Sequence, residues 1–316
     1  MRLLLVDGHY YLYRSFFAIR GLTNPRGEPT NAIFGFSKAL RKMLADVAPT
    51  HAAVIWDCGL PAKRTELQPE YKQNRPPMPD EMRSQEDWLQ DNVPLFGPAS
   101  LWLQDTEADD LIASYTRMAA SAGASVVIAT NDKDILQMVG DGVMVYSTAK
   151  ADCGTAGHAL LGPDEVREKW GVNPGQIGDV LALTGDSSDN IPGIPGVGQK
   201  TAAKLIGEFG GVVGLYENID SIQPEKLRDK LAAARDLVLD NLSMVTLDID
   251  LPIPVPVEEL ILKPDPARLA EALRDCGFKS MVRELEDESH TQTPSSGYSS
   301  NTSAQTPLQG DLFRSS

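Results

Sequence analysis

The feature that most constrains the fold of this chain is a set of short apolar runs, each of which leads into an aspartate. The three pairs are Leu3–Val6 with Asp7, Ala52–Trp56 with Asp57, and Ser125–Thr130 with Asp132. Short apolar or β-branched runs are typical of strands that are buried on both faces. Because the carboxyl ends of parallel strands lie at one edge of a sheet, we expect these aspartates to converge on one rim.

The segments between these runs have helical character. Residues 31–47 repeat apolar side chains every three to four positions, and residues 106–120 have the pattern of a helix with an acidic start. Residues 143–146 are predicted to form a further strand. Strands that alternate with helices predict an α/β fold, with a mostly parallel sheet and flanking helices.

Strand patterns become sparse after residue 160, and helical patterns replace them. The helical stretches are 163–170, 174–184, 199–209 and 224–243. We therefore predict an α/β domain over residues 1–165 and a helical domain over residues 166–286. Residues 287–316 are rich in Ser, Thr and Gln, which cannot bury enough apolar surface to fold alone, so a disordered tail is predicted there.

The overall charge argues against a simple nucleic-acid-binding protein. The 316 residues carry a formal net charge of −15, whereas phosphate binding usually requires a basic face. An excess of carboxylates indicates either a solvated acidic surface or sites that hold cations. Local features must therefore decide the class of partner.

Cysteine, histidine and hydropathy patterns exclude several other classes. The scattered Cys58, Cys153 and Cys276 do not form a disulfide framework, and the four histidines lack zinc-ligand spacing. We find no secretory signal at the N-terminus and no apolar run of about 18 residues, so no membrane span is predicted. These features predict a cytoplasmic protein.

Further carboxylates lie where they could join the aspartates at the strand ends. They are Glu107, Asp109 and Asp110 at a predicted helix start, Asp134, and the pair Asp186 and Asp189. Each one alone also fits a helix cap or a turn. Several carboxylates on one rim repel each other, however, and bound cations remove that penalty. All-oxygen sites favour Mg²⁺ or Mn²⁺, and two such ions about 4 Å apart are a known device for phosphodiester hydrolysis.

A basic segment, residues 62–75, follows Asp57. It carries four basic and two acidic side chains. Lys72 and Arg75 would share one face of a helix, and the adjacent Tyr71 could stack on a nucleobase. Beside an acidic metal site we interpret the segment as a phosphate clamp, although in isolation it also fits a solvated polar loop.

A glycine- and proline-rich hairpin, residues 191–202, links two predicted helices. Its turn from Gly196 to Gly198 allows backbone N–H groups to approach a phosphate at the start of the following helix. Lys200 and Lys204 add positive charge. The hairpin therefore predicts a grip on a duplex backbone without sequence readout. The alternative is a simple helix connector.

Eight motifs occur in a fixed order along the chain. They are Leu-Val-Asp-Gly-His (5–9), Tyr-Arg (13–14), Gly-Leu-Thr-Asn-Pro-Arg-Gly-Glu-Pro (21–29), Tyr-Lys-Gln-Asn-Arg-Pro-Pro-Met-Pro (71–79), Glu-Ala-Asp-Asp (107–110), Asp-Lys-Asp-Ile-Leu-Gln (132–137), Thr-Gly-Asp-Ser-Ser-Asp-Asn-Ile-Pro-Gly (184–193) and Gly-Val-Gly-Gln-Lys-Thr-Ala (196–202). In this combination the chain resembles the bacterial 5′–3′ exonucleases, meaning the 5′-nuclease domain of DNA polymerase I and the related flap endonucleases. The resemblance covers roughly residues 1–285.

The resemblance implies a PIN-like catalytic domain with a helical arch or clamp near residues 61–90, and a DNA-binding domain with a helix–hairpin–helix element. It implies two metal positions, the first served by Asp7, Asp57, Glu107, Asp109 and Asp110, and the second by Asp132, Asp134, Asp186 and Asp189. Lys72 and Arg75 match the catalytic residues that position phosphate. The implied substrate-binding residues are Arg14, Arg64, Tyr71, Gly196, Gly198, Lys200 and Thr201.

The resemblance also implies a K⁺ ion held by backbone carbonyls at the hairpin. One departure is Lys63, where relatives often carry Phe, and this change puts a stacking role there in doubt. No polymerase domain follows in this sequence. We therefore expect a stand-alone, monomeric nuclease.

These features predict a structure-selective 5′–3′ exonuclease and 5′-flap endonuclease of DNA replication and repair. Its substrates would be DNA with 5′ ends, flaps or nicks, and its cofactors two divalent cations, Mg²⁺ or Mn²⁺. The alternatives are a catalytically silent module that binds branched DNA, and a nuclease that acts on RNA. The complete set of carboxylates favours the active enzyme.

The end of the predicted tail carries an apolar pair that a disordered segment does not need for folding. Gln309, Leu312 and Phe313 resemble the Gln-x-x-Leu-Phe motif by which bacterial replication and repair proteins dock on the DNA sliding clamp. A sliding clamp is therefore a predicted partner. The alternative is a solvated terminus.

Overall fold

The computed structural model describes residues 1–153 and 157–291. Its centre is a six-stranded sheet in the order β3-β2-β1-β4-β5-β6. The strands are β1 (Arg2–Asp7), β2 (His51–Ile55), β3 (Ala99–Leu101), β4 (Ser125–Ala129), β5 (Val143–Ser147) and β6 (Ala159–Leu161). The first five strands are parallel and β6 is antiparallel to β5. The predicted α/β fold with a mostly parallel sheet is confirmed.

The central strand explains why its sequence is continuously apolar. Leu3 and Leu5 belong to one buried cluster, whereas Leu4 and Val6 belong to another on the opposite face. All four side chains are fully buried. Because layers cover both faces of the sheet, the positions of β1 between the exposed Arg2 and the carboxyl-terminal Asp7 are all apolar.

Helices surround the sheet and continue beyond it. The first set is α1 (Gly8–Ala18), α2 (Asn31–Val47), α3 (Ala62–Leu67), α4 (Asp80–Phe96), α5 (Ala108–Ser121), α6 (Lys150–Cys153) and α7 (Pro163–Trp170). The second set is α8 (Ile177–Thr184), α9 (Gln199–Phe209), α10 (Val212–Glu217), α11 (Glu225–Ala233), α12 (Arg235–Val245), α13 (Pro266–Asp275) and α14 (Lys279–Thr291). The predicted helix 224–243 is divided into α11 and α12, which meet at Ala234. None of the helices in the described part of the chain is long and apolar enough to cross a membrane.

The start of α2 is capped by a side chain from another helix. Thr30 precedes α2 but makes no side-chain capping bond. Instead, Oε1 of Gln85 on α4 accepts the N–H groups of Ala32 at 2.7 Å and Ile33 at 3.3 Å. The Gln85 amide also donates to Asn31 at 3.0 Å. The buried donors of α2 are therefore satisfied only when α4 is docked.

The C-terminal part of the predicted helical domain, residues 166–286, returns to the sheet. Leu260 and Leu262 form backbone hydrogen bonds with the start of β2. Buried residues of α13 and α14, such as Leu273 and Met281, share a cluster with α2 and α4. The amphipathic pattern of these helices predicts a buried face but does not say which layer covers it.

α14 continues to Thr291, past residue 287, where the sequence predicts that a disordered tail begins. Arg41 on α2 forms salt bridges with Glu284 at 3.0 Å and Glu288 at 2.6 Å and so holds this helix against the body. Gln309, Leu312 and Phe313 lie outside the described residues.

Candidate metal centre

The carboxyl ends of three strands bring aspartates to one rim of the sheet. Asp7 ends β1, Asp57 follows β2, and Asp132 follows β4. One oxygen of Asp7 caps α1, and the other accepts the hydroxyl of Thr130 at 2.9 Å. The Asp57 carboxylate accepts the N–H of Ala108, the first residue of α5, at 2.7 Å. The rim is therefore held in place by bonds to the elements that follow the strands.

Asp109 in the first turn of α5 completes what we call the first carboxylate group, Asp7, Asp57, Asp109 and Asp132. Its Oδ1 is buried without a hydrogen-bond partner in the described structure. Burial raises the pKa of Asp109 well above its usual range, and repulsion by Asp132, Asp7 and Asp57 adds to this. Burial and the charge of Asp57 raise the pKa of Asp7 to about 7.

A second carboxylate group adjoins the first. Asp134, Asp186 and Asp189 present oxygens that all lie within 4.8 Å of one another. Burial and then the charges of Asp132, Asp189 and Asp186 raise the pKa of Asp134 well above its usual range. The charges of Asp189 and Asp186 also help to raise the pKa of Asp132, after its burial. Asp132, which the resemblance assigns to the second metal position, therefore interacts electrostatically with members of both groups.

The loop that carries Asp186 and Asp189, residues 185–193, closes tightly on itself, and we call it the aspartate loop. Its ends cross so closely that a Cβ on Gly193 would lie 1.9 Å from the carbonyl oxygen of Thr184. Gly185 has a φ of +72°, which favours glycine. The two glycines thus allow the crossing that projects both aspartates toward the rim.

The basic segment docks on the aspartate loop through backbone groups. The N–H of Lys72 donates to the carbonyl oxygen of Asp189 at 3.1 Å. The side chain of Gln68 donates to the carbonyl oxygen of Asn190 at 2.6 Å. These bonds fix the basic segment beside the second carboxylate group.

Lys72 and Arg75 both point into the carboxylates. Lys72 forms a salt bridge with Glu107 and lies 3.7 Å from Asp189. Arg75 contacts the other oxygen of Asp189 at 2.5 Å. The structure therefore places both predicted phosphate-positioning residues at the centre, paired with its acids.

Arg64 and Tyr71 do not occupy the substrate-facing positions that the sequence predicts. Arg64 is 6% exposed, and its guanidinium pairs with Glu107 and, at 2.6 and 2.8 Å, with Asp110. Tyr71 is 4% exposed and donates its hydroxyl to Glu107 or Asp189. The buried carboxylates attract these two side chains inward in this structure, and their contact with a nucleobase or a phosphate stays a prediction.

Two of the predicted metal ligands, Glu107 and Asp110, are correspondingly engaged by the chain itself. Both oxygens of Asp110 accept bonds from Arg64, and one also accepts the N–H of Asp248 at 2.9 Å. Glu107 accepts bonds from Arg64, Lys72 and Tyr71. Tertiary ion pairs balance the charge of both acids in this structure, and their role as ligands of the first metal position stays a prediction.

Two residues at the centre were missed by the sequence reasoning. The Nδ1 of His9 accepts the N–H of Asp57 at 3.1 Å, and its Nε2 lies 2.9 Å from Glu86. Burial alone would lower the pKa of His9, but Glu86 and Asp57 raise it overall. Lys133 contacts Asp186 at 2.6 Å. The only signals for these residues were their positions in the Leu-Val-Asp-Gly-His and Asp-Lys-Asp motifs.

The glycine-rich hairpin is largely exposed. Gly196 has a φ of +83°, and Gly198 precedes α9, whose first turn carries Lys200 and Thr201. Val197 between the glycines is buried and anchors the turn. The predicted hairpin residues thus lie together at a helix N-terminus, whereas Arg14 lies exposed on α1.

The donors of both groups fit hard divalent cations. All seven side chains offer carboxylate oxygens, the ligands that Mg²⁺ and Mn²⁺ prefer. Oδ1 of Asp109 and Oδ1 of Asp134 are buried without a partner among the described residues. A buried carboxylate oxygen without a partner is costly, and a bound cation removes that cost.

Comparisons with known proteins agree with this architecture. A family model described as 5′-3′ exonuclease, N-terminal resolvase-like domain, matches residues 2–171, and one described as 5′-3′ exonuclease, C-terminal SAM fold, matches residues 172–268. DNA polymerase I of Bacillus subtilis is 37% identical over 289 residues, covering 91% of this chain and 32% of that protein. The thermostable DNA polymerase I of Thermus thermophilus is 38% identical over 284 residues, covering 90% and 33%. The chain spans about a third of the length of these relatives.

Solved structures share the fold at low sequence identity. T5 5′-exonuclease with bound divalent metal ions (zinc) has a TM-score of 0.66 and 19% identity, covering 91% of this chain and 99% of that one. The catalytic core of Rad2 in complex with DNA substrate has a TM-score of 0.58 and 17% identity, covering 90% and 92%. The same arrangement of sheet and helices therefore occurs in both.

The buried position of Arg64 gives a testable prediction. Arg64→Ala leaves Glu107 and Asp110 without their main counter-ion, so we expect it to lower the free energy of unfolding by about 3–5 kcal/mol. Urea denaturation measures this loss. Arg117→Ala is the matched control, because its pair with Asp250 is solvent-exposed and is expected to contribute less than about 1 kcal/mol. Wild-type stability of Arg64→Ala, together with weakened DNA binding, would instead support the substrate-contact role.

Proposed function

The chain belongs to the 5′-3′ exonuclease family, and we propose that it is a structure-selective 5′–3′ exonuclease and 5′-flap endonuclease that hydrolyses DNA phosphodiester bonds. The observation that carries this proposal is the pair of carboxylate groups that meet at Asp132, with Lys72 and Arg75 beside them. Carboxylates alone would serve many metal sites. The positively charged side chains of Lys72 and Arg75, which could bind a phosphate beside those metal sites, favour phosphodiester hydrolysis.

The proposed roles follow from the positions of the side chains. Asp7, Asp57, Asp109 and Asp132 would hold one divalent cation, and Asp134, Asp186 and Asp189, with Asp132 nearby, a second. When bound, the two ions supply an activated water and stabilise the leaving oxygen. We propose Mg²⁺ or Mn²⁺, because the donor sets contain only carboxylate oxygens.

Lys72 and Arg75 would hold the scissile phosphate. In this structure their charges are balanced by Glu107 and Asp189. Cations bound beside these acids would compete for the same carboxylates. The lysine and the guanidinium would then be free to donate to phosphate oxygens, which they suit by charge and by geometry.

The hairpin would hold duplex DNA away from the acidic rim. Its exposed glycines allow a phosphate to approach the N-terminus of α9, and Lys200 adds charge there. We also propose a K⁺ ion at the backbone carbonyls of this hairpin, with Arg14 as a second contact to DNA. This arrangement permits DNA binding despite the net charge of −15, because the basic side chains that contact DNA are concentrated locally.

We further propose a monomeric, cytoplasmic enzyme of DNA replication and repair.

Cleavage mapping tests the proposed function. Flap, nicked, single-stranded and RNA-primed substrates would be incubated with Mg²⁺, with Mn²⁺ and with a chelator. We expect metal-dependent cuts near the flap junction, and we expect Asp132→Ala or Asp186→Ala to abolish cleavage while flap binding stays measurable. Binding without cleavage by the wild type would identify a silent module, and preferential cutting of RNA would identify the other alternative.

Lys72→Ala separates chemistry from docking. Because Lys72 would stabilise charge in the transition state, we expect its loss to lower the single-turnover rate by about 100-fold or more, with a much smaller change in flap affinity. Lys63→Ala is the matched control, since Lys63 is exposed on α3 in the same basic segment. If Lys72→Ala weakens binding at an unchanged rate, Lys72 is a docking residue only.

We propose that the C-terminal peptide with Gln309, Leu312 and Phe313 docks on a bacterial sliding clamp. A fluorescent peptide of residues 305–316 is expected to bind the clamp with roughly micromolar affinity, as a short motif does. Leu312→Ala with Phe313→Ala should eliminate the binding and leave cleavage of naked flaps unchanged. A wild-type peptide without saturable binding to the clamp of the same organism would contradict this proposal.

A further inference from the structure

A lysine from the same segment as Asp134, Lys133, brings a positive charge into the second carboxylate group. Lys133 stands between Asp132 and Asp134, and its Nζ lies 2.6 Å from Oδ1 of Asp186. Asp186 is 4% exposed. The ammonium therefore stabilises a buried carboxylate that a divalent ion would otherwise neutralise.

The two carboxylate groups differ in this respect. In the second group, Asp186 pairs with Lys133 and Asp189 pairs with Arg75. Within the described residues, no lysine or arginine forms a salt bridge with a member of the first group, and the one ion pair of that group joins Asp57 to His9 at 3.4 Å. Direct salt bridges thus engage two members of the second group, whereas the charge of Lys72 acts on Asp109 and Asp132 without forming a salt bridge to either.

Lys133 also differs from the structural cation Arg64. The Lys133 side chain is 31% exposed, whereas that of Arg64 is 8% exposed and makes several further bonds. A lysine of this kind is a flexible chain with a single charged end, so it can leave its partner without breaking the fold. Its backbone is fixed because both neighbouring aspartates point into the centre.

We propose that Lys133 is a tethered counter-ion that occupies the second carboxylate group in the ion-free protein and leaves Asp186 when a divalent cation binds there. This inference rests on the proposed metal-dependent function. A divalent ion entering the second group must displace the ammonium, whereas an ion entering the first group displaces no lysine or arginine. The first group therefore fills at lower ion concentration, and the second fills later.

Calorimetric titration of the metal-free full chain with Mn²⁺, without DNA, tests this order. The wild type should bind one ion tightly and one more weakly. Lys133→Met keeps the length of the side chain without its charge, and we expect it to tighten the weaker step about tenfold, a change of about 1.4 kcal/mol. The tighter step should change by less than about twofold. Lys133→Arg keeps the positive charge and should retain the weak second step.

Lys169→Met is the matched control, because Lys169 contacts Asp152 at the same 2.6 Å, with a carboxylate that is similarly buried but outside both groups. It should leave both Mn²⁺ steps unchanged. Thermal unfolding in chelator gives a second measurement that needs no activity. Without metal, Lys133→Met should melt at a lower temperature than the wild type. Saturating Mn²⁺ should raise the melting temperature of the variant by more than it raises that of the wild type.

The possible outcomes are distinct. Equal or weaker Mn²⁺ binding by Lys133→Met, with a wild type that binds two ions, overturns the counter-ion role and leaves the proposed function intact. A wild type that binds no divalent ion overturns the proposed function itself, and this inference with it.

Discussion

Repulsion among carboxylates buried on one rim is the constraint on which the site depends. Burial and neighbouring charges raise the pKa of Asp7 to about 7 and raise the pKa of Asp109 and Asp134 well above the usual range. Such a cluster is stable only if cations accompany it. Arg64, Lys72, Arg75 and Lys133, which all contact acids of this centre, supply part of that charge.

The basic segment that balances the charge of these acids also joins the sheet to the helical region. The basic segment begins after β2, yet its Lys72 bonds to the backbone of Asp189 in the aspartate loop. Arg64 donates to the carbonyl oxygen of Met244 at the end of α12. The same residues that balance the acids therefore hold the helical region against the sheet. Catalytic geometry and domain orientation are set by one group of contacts.

The sequence predicts those parts of the structure that depend on local patterns. Apolar runs that end in aspartate predict the parallel strands and the rim, because side-chain periodicity and chain direction decide both. The burial of Arg64 and Tyr71 could not be predicted in the same way. Both residues lie in a polar segment, and only the tertiary approach of Glu107 and Asp110, more than thirty positions away, turns them inward.

The return of α13 and α14 to the sheet escaped prediction for a similar reason. Their apolar faces predict burial, but the layer that covers them is a property of the whole fold. The glycines of the aspartate loop meet a steric requirement that only glycine satisfies, but the sequence shows them only as members of a motif, because the crossing that needs them is a tertiary contact. The paired motif Asp-Lys-Asp contained the information about Lys133, but spacing alone does not reveal which carboxylate a lysine reaches.

The cap that Gln85 gives to α2 has a consequence for the cell that makes this protein. A helix whose first donors are satisfied by a residue about fifty positions downstream cannot be completed on a nascent chain until that residue has left the ribosome. The acids of the centre come from segments even further apart, between Asp7 and Asp189. A chain that ends before Asp189 therefore lacks part of the carboxylate centre, whatever the state of its sheet.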